Sequence, residues 1–188
     1  MARTRAADHE EKREAITLHA AKLFARRGFA GASISDLARA CGSSKSLIYH
    51  YYSAKEDILF DVMHGHVDEL VRLAETPRVG DAEARFRDAT QDLLKAYAGA
   101  EDAQKILLYE LDKLPSDQRA KIVGTQRTIV EVFETLLAEA RPQISDIGAR
   151  TMLYFGMVNW VHTWFDPRKG LSRDALAKLI ADTALGRV

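Results

Sequence analysis

A cluster of aromatic and basic side chains near residue 50 is the part of the sequence best suited to contact another molecule. The stretch SSKSLIYHYYSAKED places three tyrosines and a histidine at consecutive positions, with Lys45 before them and Lys55 after them. Lysines neutralise phosphates, and tyrosines contact phosphates, sugars and thymine methyl groups. Four consecutive bulky side chains on one helix cannot all point into a core. The pattern favours a nucleic-acid surface, although aromatic clusters in general pack in cores more often.

Two short helical segments around Gly42 predict how this cluster is positioned. Ser33 and Asp36 have the spacing of an N-terminal capping box, and Gly42 ends the segment that follows after about two turns. The turn needs a residue that tolerates positive φ, which glycine supplies. A second helix from about Ser44 to Tyr51 then completes a helix-turn-helix unit, whose second helix enters the major groove. In this helix Ile48 turns inward, and Tyr52 joins the unit to the next helix.

The rest of the chain has helical periodicity and no convincing strand pattern, so we predict an all-α fold. A long helix is expected from about Ala54 to Thr76, with Ser53 and Glu56 as its capping box. Helix-breaking residues divide the remainder. The predicted later helices are residues 82–98, 102–113, 116–140, 146–165 and 173–186.

Composition limits the classes of protein that the chain can represent. The 188 residues have zero net charge, but residues 1–60 carry an excess of three positive charges and the remainder an excess of three negative charges. The single cysteine, Cys41, excludes an intrachain disulfide and a cysteine-based zinc site. No segment has the pattern of a secretory signal or a membrane span. We therefore expect a cytoplasmic protein with no membrane partner.

An enzymatic function is not indicated by the sequence. His64 and His66 are two residues apart, which places them on different helix faces, and the six histidines show no metal-ligand spacing. There is no glycine-rich phosphate loop and no nucleophile elbow. Cys41 is expected to be a small core residue. We predict no catalytic residue, no metal and no cofactor.

The stretch AAKLFARRGFAGASISDLARACGSSKSLIYHYYSAKEDIL, Ala20–Leu59, resembles the TetR family of bacterial transcriptional regulators. The matching elements are A-x-x-L-F-x-x-x-G-F, S-x-x-D-[LI]-A and K-x-x-x-Y-x-Y-[FY]-x-x-K-E-x-[LI]. The resemblance implies an N-terminal three-helix domain with a helix-turn-helix at residues 1–53. It also implies a C-terminal helical bundle for ligand binding and dimerisation at residues 54–188, in a homodimer on double-stranded operator DNA.

The same resemblance implies which residues contact DNA. The set is Ser33, Ser44, Lys45, Ser46, Tyr49, His50, Tyr51 and Lys55. Ser33, Tyr51 and Lys55 are expected at phosphates, while Lys45 and Tyr49 are expected in the groove. Two residues depart from the family pattern: Ser43 replaces an apolar residue and Leu47 a small one, so base preference does not carry over.

A second stretch, YFGMVNWVHTWFDPRKGLS, is similar to a subset of the family that responds to acyl-CoA thioesters and represses lipid or aromatic-acid catabolism. This helix is apolar nearly all round, so one side could pair with a symmetry mate and another could line a pocket. The residues expected at the ligand are Phe86, Leu107, Tyr109, Phe133, Met152, Phe155, Trp160, Trp164 and Arg168. Arg168 would meet a coenzyme A phosphate.

Several alternatives remain open at this point. Trp160 and Trp164 could be core and dimer packing, and the segment that contains Arg168 could be a solvated turn. The expected function is a repressor released from its operator by an acyl-CoA thioester. The effector could instead be another apolar ligand such as a drug or a free acid, and activation in place of repression stays open. A helical dimer without DNA binding is a further alternative, which Lys45 and Tyr49 argue against.

Overall fold

The computed structural model describes residues 2–187, with their side chains from His9 onward. This part of the chain forms nine α-helices and two short 3-10 helices, and it contains no β-strand. The all-α prediction is confirmed. The bounds are α1 (Ala2–Gly31), α2 (Ile34–Ala40), α3 (Lys45–Tyr51), α4 (Lys55–Glu75), α5 (Ala82–Gly99), α6 (Glu101–Tyr109), η1 (Leu111–Lys113), α7 (Ser116–Ala140), α8 (Ile147–Trp164), η2 (Pro167–Lys169) and α9 (Arg173–Ala184).

The helix predicted at residues 102–113 is in fact two elements. Helix α6 ends at Tyr109, and Glu110 leaves helical geometry with φ −122° and ψ 7°. A short 3-10 turn follows, in which the Lys113 amide donates to the Glu110 carbonyl at 3.0 Å. The sequence has no glycine or proline between these elements, so it gave no signal for the break.

Helix α1 contains a break at Gly28. The residue has φ 71° and ψ 157°, a conformation that glycine adopts without a steric penalty. A further turn continues beyond the break to Gly31.

Local capping sets the start of the two short helices. The Ser33 hydroxyl accepts the Asp36 amide at 3.1 Å in the predicted capping box, and the Ser44 hydroxyl accepts the Leu47 amide at 3.2 Å. Gly42 between them has φ 60°. At α4 the cap differs from the prediction, since the Asp57 carboxylate accepts the Ala54 amide at 3.0 Å.

The described chain divides into two compact units. The first contains residues up to His66 together with Asp102–Ile122, and the second contains Val67–Glu101 together with the residues from Val123 onward. The first unit thus contains α1–α3, α4 up to His66, α6, η1 and the first turns of α7. In the second unit α9 packs against both α5 and α8.

No helix within residues 2–187 is long and apolar enough to cross a bilayer.

Candidate nucleic-acid interface and ligand-binding domain

Helix α3 presents one buried anchor and several exposed side chains. Ile48 has no exposed surface and anchors α3 in the interior of the first unit. Lys45, Ser46, Tyr49 and His50 are exposed, and 55% of the Tyr49 surface is accessible. The exposed side chains at this helix are those expected for contacts with a DNA groove.

Tyr52 holds the end of α3 to α1 and α4, as its predicted core position requires. Its ring is buried, and its hydroxyl donates to Asp61 Oδ2 at 2.8 Å. Arg13 Nε of α1 donates to the same oxygen at 2.8 Å. Burial raises the pKa of Tyr52 well above its usual value, so the hydroxyl stays protonated and continues to donate.

A side chain from α1 joins the predicted interface without any signal in the local sequence. The His9 ring lies 4.6 Å from the Tyr51 ring, measured between centroids. The His50 ring lies 5.3 Å from the same tyrosine on its edge. Tyr51 is therefore oriented by contacts from two helices, and only the tertiary fold brings His9 to it.

Ser33, a predicted phosphate contact, is exposed and engaged with Asp36. Its hydroxyl donates to Asp36 Oδ2 at 2.6 Å, and Arg27 and Arg39 pair with the other carboxylate oxygen at 3.3 and 3.0 Å. The bonds from Ser33 and the two guanidinium groups lower the pKa of Asp36 to about 2. The carboxylate stays ionised and holds two arginines beside the start of α2.

Lys55 has an intramolecular role that the sequence did not predict. Its ammonium donates to the carbonyls of Phe29 at 2.8 Å and Ala32 at 3.0 Å, and it lies 4.1 Å from the centre of the Phe29 ring. Carbonyls at a helix C-terminus lack helical partners and attract such a cation. A phosphate contact by Lys55 would use what remains of its hydrogen-bonding capacity.

The second unit contains a buried aromatic cluster that includes three of the predicted ligand residues. Phe86, Phe133 and Phe155 surround Tyr154, with ring centroids 5.2 to 5.3 Å from it. The Tyr154 hydroxyl donates to Thr90 Oγ1 at 3.1 Å, and burial raises its pKa far above its usual value. Sequence reasoning missed Tyr154, although it begins the quoted apolar stretch.

The other predicted ligand residues lie in different places. Leu107 and Tyr109 belong to α6 in the first unit, where Leu107 is buried and Tyr109 is half exposed. Arg168 is exposed, and its guanidinium makes two bonds of 2.8 Å to the carboxylate of Asp166. Leu107 and Tyr109 therefore belong to a different compact unit from the aromatic cluster.

Helices α8 and α9 present an apolar face at the surface of the second unit. Met152, Trp160 and Trp164 each expose more than half of their surface. A groove of about 440 Å³ runs along this face. Its lining residues are Gly156, Met157, Trp160, Trp164, Leu176, Leu179, Ile180 and Thr183.

The described residues contain no group of three histidine, cysteine or carboxylate side chains placed to hold a metal ion. His66, one of the histidines weighed above, is buried and shares a 2.7 Å hydrogen bond with Gln104.

The chain contains a capped helix-turn-helix with exposed basic and aromatic side chains. It also contains a helical domain with an aromatic interior. Together these features are typical of a helical DNA-binding regulator. Two family models agree with this class. The model for bacterial regulatory proteins of the tetR family matches residues 16–62, and that for the tetracyclin repressor-like C-terminal domain matches residues 79–188. The chain belongs to the TetR family of transcriptional regulators, which bind DNA and carry a ligand-binding C-terminal domain.

Individual relatives cover most of the chain. A TetR-family regulator from Bordetella parapertussis 12822 is 36% identical, with a TM-score of 0.84 over 92% of this chain and 93% of its own. AibR, solved with isovaleryl coenzyme A and operator DNA, is 26% identical, with a TM-score of 0.78 over 94% of this chain and 97% of its own. The regulator HbdR of Aromatoleum sp. (strain CIB) is 29% identical over 82% of this chain and 69% of its length.

Proposed function

We propose that this protein is a homodimeric repressor that an acyl-CoA thioester releases from its operator. The observation that carries the proposal is the similarity, over 94% of the chain, to a protein solved with both isovaleryl coenzyme A and operator DNA. The apolar stretch at Tyr154–Ser172 supports the same effector class. A relative named as a repressor, KstR2 of Rhodococcus jostii (strain RHA1), is 24% identical over 85% of this chain and supports the direction of control.

The proposed DNA contacts lie at residues 1–53 and the first turn of α4. Lys45, Ser46, Tyr49 and His50 enter the major groove from α3. Ser33, Ser44 and Tyr51 hold the phosphates on either side, with Lys55 behind them. Contacts to base edges give specificity, and contacts to phosphates give affinity that falls with salt.

Residues 54–188 supply the effector site and the dimer contact in this proposal. Phe86, Phe133 and Phe155 offer apolar surface for an acyl group within the second unit. Arg168 exchanges its pairing with Asp166 for a coenzyme A phosphate, because a guanidinium binds either anion in the same bidentate way.

The apolar face of α8 and α9 is proposed to bind a second copy of the chain. Trp160 and Trp164 are large and exposed there, which favours dimer packing over a ligand contact for these two residues. A two-fold axis at this face makes the contact self-complementary. The dimer would place two α3 helices about 34–36 Å apart, the spacing of successive major grooves.

The effector controls DNA binding only if it has different affinities for the conformation that binds DNA and the conformation that does not. A release of about 100-fold requires about 2.7 kcal/mol of coupling between the two sites. The same factor must appear in the affinity for the thioester when operator DNA is bound.

In vitro transcription tests the proposal as a whole. A duplex selected by the purified protein from a random-sequence library is placed across a promoter, and transcript is measured with added protein and with isovaleryl coenzyme A. Repression that the thioester reverses supports the proposal. Transcription that rises on adding the protein alone would replace repression with activation, and failure to select any duplex would contradict DNA binding by these residues.

A further inference from the structure

The break in α1 separates two backbone groups that an uninterrupted helix would pair. In an α-helix each amide donates to the carbonyl four residues earlier, so the Phe29 amide would donate to the Ala25 carbonyl. Gly28 lies between them with φ 71° and ψ 157°, outside helical geometry. A break of this kind leaves a donor and an acceptor that need other partners.

Two side chains from the α6–η1 segment bind these same two groups. Lys105 Nζ donates to the Ala25 carbonyl at 2.9 Å. Glu110 Oε1 accepts the Phe29 amide at 2.9 Å. The positively charged Lys105 binds the carbonyl acceptor and the negatively charged Glu110 binds the amide donor, so each charge is complementary to its backbone group. We name this pair of contacts, from Lys105 and Glu110 to Ala25 and Phe29, the kink clamp.

Glu110 is held in place by its own backbone. Its amide donates to the Ile106 carbonyl at 2.9 Å, and its carbonyl accepts the Lys113 amide at 3.0 Å. The residue thus sits at a fixed junction between α6 and η1. Its carboxylate also lies 3.3 Å from the position that a Cβ atom at Gly28 would occupy.

We infer that Lys105 and Glu110 are positioning residues for DNA binding, which they control by holding α1 in its broken form. Residues 29–33 connect the break directly to the Ser33 cap of α2, and α2 leads to α3. The direction of α1 at Gly28 therefore sets the direction of the helix-turn-helix. The inference rests on the proposed function, since it concerns the affinity of that helix-turn-helix for an operator.

The clamp also gives a route from the effector domain to DNA. Lys105 and Glu110 lie within residues 79–188, the range matched by the C-terminal domain model, while Ala25 and Phe29 lie within residues 16–62, matched by the DNA-binding model. The alternative to the clamped form is a straight α1 in which Phe29 and Ala25 pair with each other. A segment with two such hydrogen-bonded arrangements can be biased by a ligand that moves α6.

The direction in which one substitution changes DNA affinity distinguishes this role from a simple charge effect. Glu110→Ala removes a negative charge, which by itself would strengthen binding to polyanionic DNA. Loss of the clamp instead frees α1 to adopt several directions, of which only some fit the groove, and so weakens binding. Glu110→Gln keeps an oxygen acceptor for Phe29 and should restore most of the affinity.

Operator affinity tests the inference, measured by fluorescence anisotropy on a duplex that the wild-type protein selects from a random-sequence library. We expect Glu110→Ala to weaken binding about tenfold or more and Glu110→Gln by less than about threefold. The control Asp112→Asn, on the same segment, also removes a negative charge but touches only the ion pair with Lys113 at 2.6 Å, so it should not weaken operator binding. Hydrogen exchange at the Phe29 amide should speed up in Glu110→Ala alone.

Gly28→Ala provides a second variant that leaves every charge in place. A side chain is strained at positive φ, so this change favours the straight helix and should also weaken operator binding. Operator binding by folded Glu110→Ala that equals or exceeds that of the wild type would overturn the inference, as would full affinity in folded Gly28→Ala. Absence of any selected duplex for the wild type would instead overturn the proposed function.

Discussion

Removing the hydroxyl of Tyr52 is expected to destabilise the protein without reducing its intrinsic contacts with DNA. Tyr52→Phe keeps the buried ring but deletes the 2.8 Å bond to Asp61 Oδ2. A hydrogen bond to a charged partner contributes about 1.5–3 kcal/mol. Asp61 keeps its bonds to Arg13, and 19% of its side chain is exposed, so water replaces part of the loss. We therefore expect the free energy of unfolding to fall by about 1–2 kcal/mol.

Urea unfolding followed by circular dichroism measures this change, and thermal unfolding should show a shift of about 2–8 °C. The matched control is Tyr49→Phe, which deletes the hydroxyl of an exposed tyrosine on the same helix and should change stability by less than about 0.5 kcal/mol. Equal unfolding free energies for Tyr52→Phe and the wild type would refute the role of this hydroxyl. Operator affinity should be lowered by Tyr49→Ala, which removes a proposed groove contact, more than by Tyr52→Phe.

Three further predictions concern the second unit. Phe133→Ala empties a fully buried site among aromatic rings and should lower the free energy of unfolding by about 3–5 kcal/mol, measured by urea titration; a loss below 1 kcal/mol would contradict the packing. If α8 and α9 form the proposed dimer contact, Trp164→Glu should be a monomer in analytical ultracentrifugation, whereas the exposed Arg168→Glu on the same unit should remain dimeric. A dimeric Trp164→Glu would contradict this interface. The hydrogen bond and charge of Arg187, with the charge of Arg141 and a hydrogen bond from Arg87, lower the pKa of Glu83 below its ordinary 4.5. The contribution of Glu83 to stability is therefore present above that value and is lost as pH falls through the folded pKa. Glu83→Gln should therefore lose less stability than the wild type between pH 5 and pH 3, at low salt, and equal losses would contradict the pairing.

The parts of the site set by local sequence were predictable. The caps at Ser33 and Ser44, the positive φ of Gly42 and the inward Ile48 depend on residues within a few positions of one another. Local hydrogen-bonding preferences therefore determined them, and the helix-turn-helix was predicted in its correct place.

The parts set by tertiary contacts could not be predicted from periodicity. Lys55 lies in a sequence pattern typical of a phosphate contact, yet its ammonium meets carbonyls more than twenty positions earlier in the chain. The contacts of His9 with Tyr51 and of Glu110 with Phe29 also join distant residues. A sequence shows which side chains can donate or accept, but not which backbone groups the fold leaves without partners.

Helix α8 illustrates a third limit. Its apolar residues surround the helix, so hydrophobic pattern alone does not separate core from interface. The structure buries Tyr154 and Phe155 while leaving Trp160 and Trp164 exposed. The sequence left these tryptophans open as ligand contacts or as core and dimer packing, and their exposure argues against a place in the core.

The proposed function depends on control of operator binding by an acyl-CoA thioester. The most direct test is fluorescence anisotropy of a selected operator duplex with the purified wild-type protein, in parallel titrations with isovaleryl coenzyme A, isovaleric acid and coenzyme A. We expect isovaleryl coenzyme A to weaken operator binding by about 100-fold, and the free acid and coenzyme A to leave it unchanged. Operator binding that is tight but unchanged by a panel of acyl-CoA thioesters would contradict the claim.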